Sequence, residues 1–420
     1  MTGSNPHLAP VDVPDGAALA RLQQLCDLSD PYTCGPAEEE LFTAAMAEIN
    51  AWHRDRSPFF RDLQDADLRA AAAQDTAAQD TAAQAAAAQD TAAQAAAAQD
   101  TAAQGTPYAA PLVHANFFKR HEVLSIPRDE VHLHLTSSGT TGQKSQMFFD
   151  EWTIRSAQRM VARIFDHNGW ITPDQPVNYL LYSYEPARDL NLGTAFTDNY
   201  LCDFAPARQV EYALRDTGNG HEFDPFGCVA ALRRFAEDEI PVRILGFPAF
   251  LWFTLERMRA MGLPPLRLPE GSLIILGGGW KGHADRRIGK DELYARVTEQ
   301  LGVPSERIRD TFGSVEHCVP YIECARHNLH APVWSRVFIR STRTLEPLPY
   351  GERGYLHLVS PYITSVPAQS VVMGDLASLH PGEECGCELT TPWFTLHGRA
   401  GVSRNRSCAV AAAELMKGLS

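Results

Sequence analysis

The residues best equipped for chemistry stand in Leu133 to Gln146, LHLTSSGTTGQKSQ, where an apolar run ends abruptly in Thr136, Ser137, Ser138, Gly139, Thr140 and Thr141, followed by Gly142. Such a turn leaves backbone amides and hydroxyls open to an anion, and glycine permits the positive φ and close approach that a phosphate cradle needs. The spacing is not that of a Walker loop, because Gln143 separates Gly142 from Lys144. Composition alone leaves a plain Ser/Thr/Gly turn as an equal reading.

Three further stretches carry complementary groups. ILGGGWKG, Ile275 to Gly282, runs an apolar strand into Gly277, Gly278 and Gly279, where backbone can approach a flat ligand, and then into Lys281. DTFGSVEHC, Asp310 to Cys318, brings Phe312, Gly313 and the Glu316 carboxylate close in sequence. GDLA and HGRA supply Asp375 and Arg399. Singly these read as a loop, a surface carboxylate and a turn.

Two sets of soft ligands complete the inventory. Cys408 follows Arg404-Asn405-Arg406-Ser407 and precedes AVAAAELMK, a short helix pattern stopped by Gly418. The helix dipole and both arginines favour its thiolate, the form that attacks an activated acyl group; a buried structural cysteine is the alternative. Cys324, His330, Cys385 and Cys387 make C-x5-H followed by C-x-C, ligands suited to tetrahedral Zn²⁺, although the unusual spacing favours separate free thiols. His317 and Cys318 are alternatives beside the nucleotide motif, while His132, His134 and His327 read as structural or surface residues.

Apolar residues at helical spacing predict helices over 17–26 and 38–53. Short apolar runs predict buried strands at 131–135, 177–182, 242–245, 272–276 and 355–359, and helical patterns lie between them at 153–167, 228–238, 249–261 and 290–300. This alternation predicts an α/β architecture, in which ligands gather at the carboxyl ends of strands. Residues 70–106 are a low-complexity AAQDT/AAQAA insertion with no large apolar side chain to build a core. The expected organisation is a helical region at 1–69, the insertion at 70–106, the main domain at 107–400 and a short segment bearing Cys408 at 401–420.

Composition narrows the partners. Against 37 Lys and Arg stand 51 Asp and Glu, a formal charge of -14 that repels nucleic-acid backbones and anionic lipid. The longest apolar stretch, Leu245 to Phe253, is too short to span a bilayer, and the first residues show no basic region followed by an apolar core. Nine cysteines, an odd number without a dense framework, fit a reducing compartment, so a cytoplasmic location is expected.

In order and wording, TSSGTTGQKS, ILGGGWKG, DTFGSVEHC, GDLA and HGRA resemble the adenylate-forming superfamily. TSSGTTGQKS followed by Asp150, GGGWK, FGSVEHCVPYIEC and the final GRAGVSRNRSCAVAAAELM resemble one branch of it, the acyl-protein synthetases of the LuxE family, over roughly residues 110 to 420. The resemblance implies a large α/β adenylation domain of mixed sheets and flanking helices. It also implies ATP with its β- and γ-phosphates held by the Ser/Thr/Gly loop, although Gln143-Lys144-Ser145 replaces the familiar Pro-Lys ending and leaves Lys144 without a clear role.

By the same resemblance Gly277, Gly278 and Gly279 border adenine, Phe312 and Gly313 pack on the nucleotide, Glu316 binds Mg²⁺, and Asp375 and Arg399 meet the ribose. Only twenty-one residues follow Arg399, which predicts that the full C-terminal lid domain of related ligases is lacking. Lys281 is then the candidate for countering charge on the α-phosphate, with an ordinary surface lysine as the equal reading. Cys408 corresponds to the family's acyl-accepting cysteine, and the implied substrate is a long-chain fatty acid, passed on to an acyl-protein reductase. The stretch around GFPAFLWF could line a fatty or aromatic acyl pocket, or simply pack the core. Two other functions stay open: a free-standing acyl- or aryl-CoA or carrier-protein ligase, and a non-catalytic nucleotide-binding protein. Some phenylacetate-CoA-ligase-like relatives resemble this chain in their Cys, His and Cys-x-Cys set.

Overall fold

Apolar runs and amphipathic helices alternate along the chain, and in the computed structural model the runs pair chiefly in two sheets. The structure describes residues 5–70, 107–136, 146–186, 200–218, 220–280, 283 and 286–400. The helices are α1 (Ala20–Asp27), α2 (Pro36–Arg56), α3 (Glu151–His167), α4 (Pro225–Glu237), α5 (Pro248–Ala260) and α6 (Lys290–Leu301). The strands of the first half are β1 (Val113–His114), β2 (Leu133–Thr136), β3 (Gln146–Phe149), β4 (Val177–Tyr184), β5 (Ala207–Asp216), β6 (His221–Phe223), β7 (Val242–Gly246) and β8 (Leu273–Leu276). Those of the second half are β9 (Ile308–Phe312), β10 (Tyr321–Ile322), β11 (Leu329–His330), β12 (Arg336–Arg340), β13 (Arg353–Val359), β14 (Ser370–His380) and β15 (Trp393–Arg399).

The first sheet runs β10-β9-β8-β7-β4-β5-β6. Its five inner strands are parallel, with short antiparallel strands at both edges. All residues of β7 and β8 are buried, because both faces of a parallel sheet are covered and no polar alternation is needed. In β4, successive side chains serve two cores. Tyr179 and Leu181 pack with Phe165 and Leu356, whereas Leu180 and Tyr182 pack with Leu232, Leu251 and Val297 beneath α4, α5 and α6. The second sheet runs β11-β15-β14-β13-β12, with β1 added parallel to β14. Leu22, Phe42 and Ile49 of α1 and α2 join its core, so these helices share the apolar interior of the main chain body.

Local chemistry sets the helix ends. The Asp150 carboxylate accepts from the Thr153 amide at 2.8 Å, Asp224 accepts from the Gly227 amide at 2.8 Å, and Pro stands in the first turn of α2, α4 and α5. Gly302, at φ 71°, ends α6 in the left-handed conformation that favours glycine.

One expectation is corrected. The run at 131–135 is not a buried member of the parallel sheet: β2 pairs antiparallel with β3, from Leu133 opposite Phe149 to Thr136 opposite Gln146. Only Leu135 of that run is buried and His132 and His134 are exposed, as befits one covered face of a two-stranded hairpin. Among the described residues no helix is long and apolar enough to cross a membrane. Residues 71–106, which hold nearly all of the AAQDT/AAQAA repeat, lie outside the described residues.

Candidate functional site

The parallel strands β4, β7, β8 and β9 end along one edge, where an open α/β sheet presents loops to a ligand. At the end of β7, Gly246 has φ 114°, and a Cβ there would come within 2.4 Å of the Tyr182 carbonyl oxygen. Its own carbonyl accepts from the Gly277 amide at 3.0 Å. Thr311 on β9 donates its hydroxyl to the Leu276 carbonyl at 2.9 Å, and a Cβ on Gly277 would lie 2.5 Å from that hydroxyl. Gly278 and Gly279 then follow at φ 71° and 68°. The three glycines are therefore required for different reasons: the first for close packing, the next two for left-handed backbone.

Directly after β9 the chain opens. Phe312 packs edge-on to Phe394 at 5.8 Å between ring centroids and tilted against Tyr321 at 6.0 Å, while a Cβ on Gly313 would meet nothing within 4 Å. The following turn is tight: the Ser314 carbonyl accepts from the amides of His317 (3.2 Å) and Cys318 (2.7 Å), with Cys318 at φ 57°. Glu316, on this turn, is 5% exposed and makes no ion pair among the described residues. It faces His114 of β1, whose pKa is held below its ordinary value by burial and by Lys119, with the Glu316 charge acting in opposition. His317 is buried against the Tyr321 hydroxyl (2.9 Å) and Ser335 (3.2 Å), and burial pushes its pKa down to about 3. Burial likewise pushes the Cys318 thiol up to about 12, so neither has the character of a proton carrier at neutral pH.

The Ser314 hydroxyl reaches Met373 Sδ at 3.8 Å, and this contact joins the turn to β14 of the second sheet. Next along that strand come Gly374, where a Cβ would meet open space, and Asp375. The sequence reading of Gly374-Asp375 as a turn is corrected, because both lie inside β14. Asp375 is set opposite Arg399 of β15 by the strand register, with carboxylate and guanidinium 3.5 Å apart. Burial raises the Asp375 pKa and Arg399 partly offsets that effect. The Ala400 amide donates to the Gly374 carbonyl at 2.9 Å, which fixes the end of β15 beside the same spot. The structure thus arranges Gly277, Thr311, Phe312, Gly313, Glu316, Asp375 and Arg399 along one seam between the two sheets. Thr311, Ser314 and His114 were missed in the sequence, the first two within a motif already singled out and His114 on a two-residue strand without any pattern.

Thr136 ends β2 and faces Gln146 across the hairpin, so residues 137–145 connect two paired strand ends. Ser137, Ser138, Gly139, Thr140, Thr141, Gly142 and Lys144 lie outside the described residues, as do Lys281 and Cys408. Asp150, at the hairpin's exit, is buried: besides capping α3 it accepts from the Thr364 hydroxyl at 2.5 Å, a tie to the second sheet's connections.

The GFPAFLWF stretch divides its duties. Phe247 and Leu251 are core residues of the layer under α5. Phe250 and Phe253 form an aromatic group with Phe223 and with His283 of the loop that follows the glycines, at centroid distances of 4.8 to 6.4 Å.

Cys324, His330, Cys385 and Cys387, which the spacing favoured as separate thiols, converge with their ligand atoms all within 4.8 Å of one another. His327 stands nearby, bonded to Ser305 at 2.9 Å and paired with Glu323.

Parallel strands with glycine-rich carboxyl ends and a second sheet closing over them are the fold of adenylate-forming ligases. An open conformation of 2-hydroxyisobutyryl-CoA ligase in complex with 2-HIB-AMP and CoA superposes with a TM-score of 0.58, at 12% identity over 90% of this chain and 80% of that one. The postadenylation state of the same enzyme gives 0.59, at 13% identity over 89% and 71%. Within that class the chain belongs to the acyl-protein synthetase, LuxE, family, whose model matches residues 93–417. It is 29% identical over 264 residues to the long-chain-fatty-acid–luciferin-component ligase of Vibrio harveyi, a match covering 61% of this chain and 66% of that protein. The ligase of the same name from Aliivibrio fischeri is 24% identical over 263 residues, with the same coverage. The chain therefore spans just under two thirds of the length of these curated relatives.

Proposed function

We propose that the chain is an ATP-dependent acyl-protein synthetase that joins a long-chain fatty acid to AMP and then moves the acyl group to Cys408. The observation that carries this reading is the seam from Gly277 through Gly313 to Asp375 and Arg399, at the sheet edge where a family of this fold binds its nucleotide. In this reading 107–400 is the adenylation domain and 401–420 carries the acceptor thiol.

Each part of ATP has a suitable neighbour. Gly277, Gly278 and Gly279 give adenine a side-chain-free surface, Phe312 and Gly313 pack against it, and Asp375 and Arg399 take the ribose hydroxyls. Thr136, Ser137, Ser138, Gly139, Thr140, Thr141, Gly142 and Lys144 receive the β- and γ-phosphates. Glu316, a buried carboxylate without an ion-pair partner among the described residues, fits a Mg²⁺ ion. When bound, Mg²⁺ would neutralise charge on the leaving pyrophosphate. Lys281 would do the same for the α-phosphate.

Chemistry proceeds in two balanced steps. A carboxylate oxygen attacks the α-phosphorus in line, and the bond from that phosphorus to the bridging oxygen breaks as pyrophosphate departs. The Cys408 thiolate then attacks the acyl carbonyl carbon, the bond to the AMP oxygen breaks, and a thioester remains with AMP released. The names of the curated relatives support a long-chain acid, and the aromatic group of Phe223, Phe250 and Phe253 supports an apolar pocket wall. The acyl group would pass from Cys408 to a partner, an acyl-protein reductase or a carrier protein. The charge of -14 disfavours nucleic acid as a partner, and the free cysteines found among the described residues suit a reducing cytoplasm.

The neighbouring CoA ligases support a second reading, in which the acceptor is free CoA or a carrier thiol. Incubation with ATP and a labelled fatty acid, without CoA or carrier, separates the two. We expect a hydroxylamine-labile label on the denatured chain that is lost in Cys408→Ala. Adenylate formation without any label on Cys408 would sink the first reading in favour of the second.

A further inference from the structure

We propose that Cys324, His330, Cys385 and Cys387 bind one Zn²⁺ in a closed structural site that clasps the turn between β10 and β11 to the loop preceding β15. The inference is independent of the adenylation chemistry above.

The donor geometry carries it. Cys324 Sγ lies 3.5 Å from Cys385 Sγ, and Cys387 Sγ lies 3.4 Å from His330 Nε2. Zn–S bonds of about 2.3 Å and a Zn–N bond of about 2.0 Å in a tetrahedron require donor separations of about 3.5 to 3.8 Å. The two observed pairs lie within about 0.3 Å of those separations, and the whole set falls within 4.8 Å, close enough for small side-chain shifts to complete a tetrahedron. A disulfide between Cys324 and Cys385 would require sulfurs at about 2.05 Å.

The surroundings prepare each ligand for a cation. His330 Nδ1 is 2.7 Å from the Thr391 carbonyl oxygen, which can only accept, so the proton sits on Nδ1 and the Nε2 lone pair is turned toward Cys387. Every cysteine of the set receives an N–H: Cys324 from the Arg326 amide at 3.3 Å, Cys385 from Asn328 Nδ2 at 3.1 Å, and Cys387 from the Leu389 amide at 3.4 Å. Donors aimed at all three sulfurs suit thiolates, the state that metal binding demands. Binding would release three thiol protons and leave the centre with one net negative charge. The Arg309 guanidinium, which donates to the Cys324 carbonyl at 2.8 Å, stands beside that charge.

Position argues for a structural role. Cys324, His330 and Cys385 are buried and Cys387 is half-buried, so four protein ligands fill the shell while a cleft lined by Arg309, Cys324 and Cys387 gives the ion a route in. His330 pairs with Trp393 at the first residue of β15, whereas Arg399 is at its last. At about 3.3 Å per residue, β15 separates the two ends by about 20 Å, which keeps the cluster away from Asp375 and Arg399 at the far end of the seam. Cys324 and Cys385 are 61 positions apart in sequence, so the ion would close a long loop and hold β11 and β15 in register.

The test uses the full chain expressed with zinc in the medium and purified under reducing conditions. Elemental analysis should find about one zinc per chain, and replacement by Co²⁺ should give intense d–d bands together with a thiolate-to-metal charge-transfer band, as expected of tetrahedral S₃N ligation. Three cysteines should resist alkylation until a chelator is added. Cys387→Ser should lower zinc content at least about tenfold or weaken its retention against chelator to the same degree, and Cys387→His, which restores the fourth ligand as a second nitrogen, should recover it. Should the serine variant fail to fold, the alkylation pattern and cobalt spectrum of the unsubstituted chain still decide. Zinc well below one per chain with no cobalt bands, or a Cys324–Cys385 disulfide found by mass spectrometry in the reduced preparation, would overturn the proposal.

Discussion

Asp375→Asn separates what the seam does for nucleotide from what it does for the fold. The Asp375 side chain is 17% exposed and its partner Arg399 is 57% exposed, with one contact at 3.5 Å. An ion pair with so exposed a partner contributes about 0 to 1 kcal/mol. Burial, meanwhile, raises the Asp375 pKa in the folded chain. The folded state then holds the proton more readily than the unfolded one, so the ionised carboxylate costs stability once pH rises above the ordinary carboxylate range. Asparagine removes both the small gain and the small cost.

The melting temperature at neutral pH should consequently move by no more than about 2 °C in either direction. Nucleotide binding should respond quite differently. A hydrogen bond between a charged acceptor and a ribose hydroxyl is worth about 1.5 to 3 kcal/mol, so KM for ATP should rise about 10- to 150-fold. Thermal melts paired with pyrophosphate exchange at varied ATP measure both quantities. An unchanged KM, or a melt lowered by more than about 5 °C, would refute the assignment of Asp375 to nucleotide rather than to packing.

Three further outcomes follow from the same geometry. Gly277→Ala forces a Cβ to within 2.5 Å of the Thr311 hydroxyl and should cost about 1 to 3 kcal/mol in denaturant melts; Thr311→Ala in the same chain should recover part of that loss, and a neutral single substitution would contradict the close packing. Glu316→Gln removes the proposed Mg²⁺ ligand and should reduce exchange about 100- to 1000-fold at low Mg²⁺, with partial recovery at high Mg²⁺; recovery independent of the metal would point elsewhere. Burial holds His53 down to about 3 and His357 well below its ordinary value, so both stay neutral in the fold. Their contribution is complete above the unfolded value near 6.5 and is lost as pH falls toward 3, each at up to about 1.4 kcal/mol per pH unit. His53→Gln should flatten the acid limb of a melting-temperature profile, and an equally steep limb would exclude His53 as a source.

What could be read from the sequence follows the physics of burial. The strands β4, β7 and β8 are nearly continuous apolar runs because helices or the second sheet cover both faces, and the predicted spans differ from the observed ones by a residue or two. The helices α3 to α6 announce themselves by periodicity, with Asp150, Asp224 and Gly302 marking boundaries. β2 misled because Val131, Leu133 and Leu135 alternate as well for a hairpin as for a sheet member. Asp375 misled because Gly-Asp is a common turn pair, whereas the register with β15 that makes it a strand residue depends on Arg399, distant in sequence. The Cys324, His330, Cys385 and Cys387 set could be named from the sequence but its convergence could not, for the same reason: only the antiparallel return of β14 into β15 brings its halves together. The order of the nucleotide motifs was legible, since each glycine or carboxylate follows directly on its strand.

Nucleotide and acid must meet at the seam between the sheets, and ATP–pyrophosphate exchange driven by a series of saturated fatty acids tests this most directly. The prediction is exchange that requires a long-chain acid, does not require Cys408, and falls with Asp375→Asn and Glu316→Gln. No exchange with any acid from a folded, ATP-saturated chain, or exchange untouched by both substitutions, would contradict it.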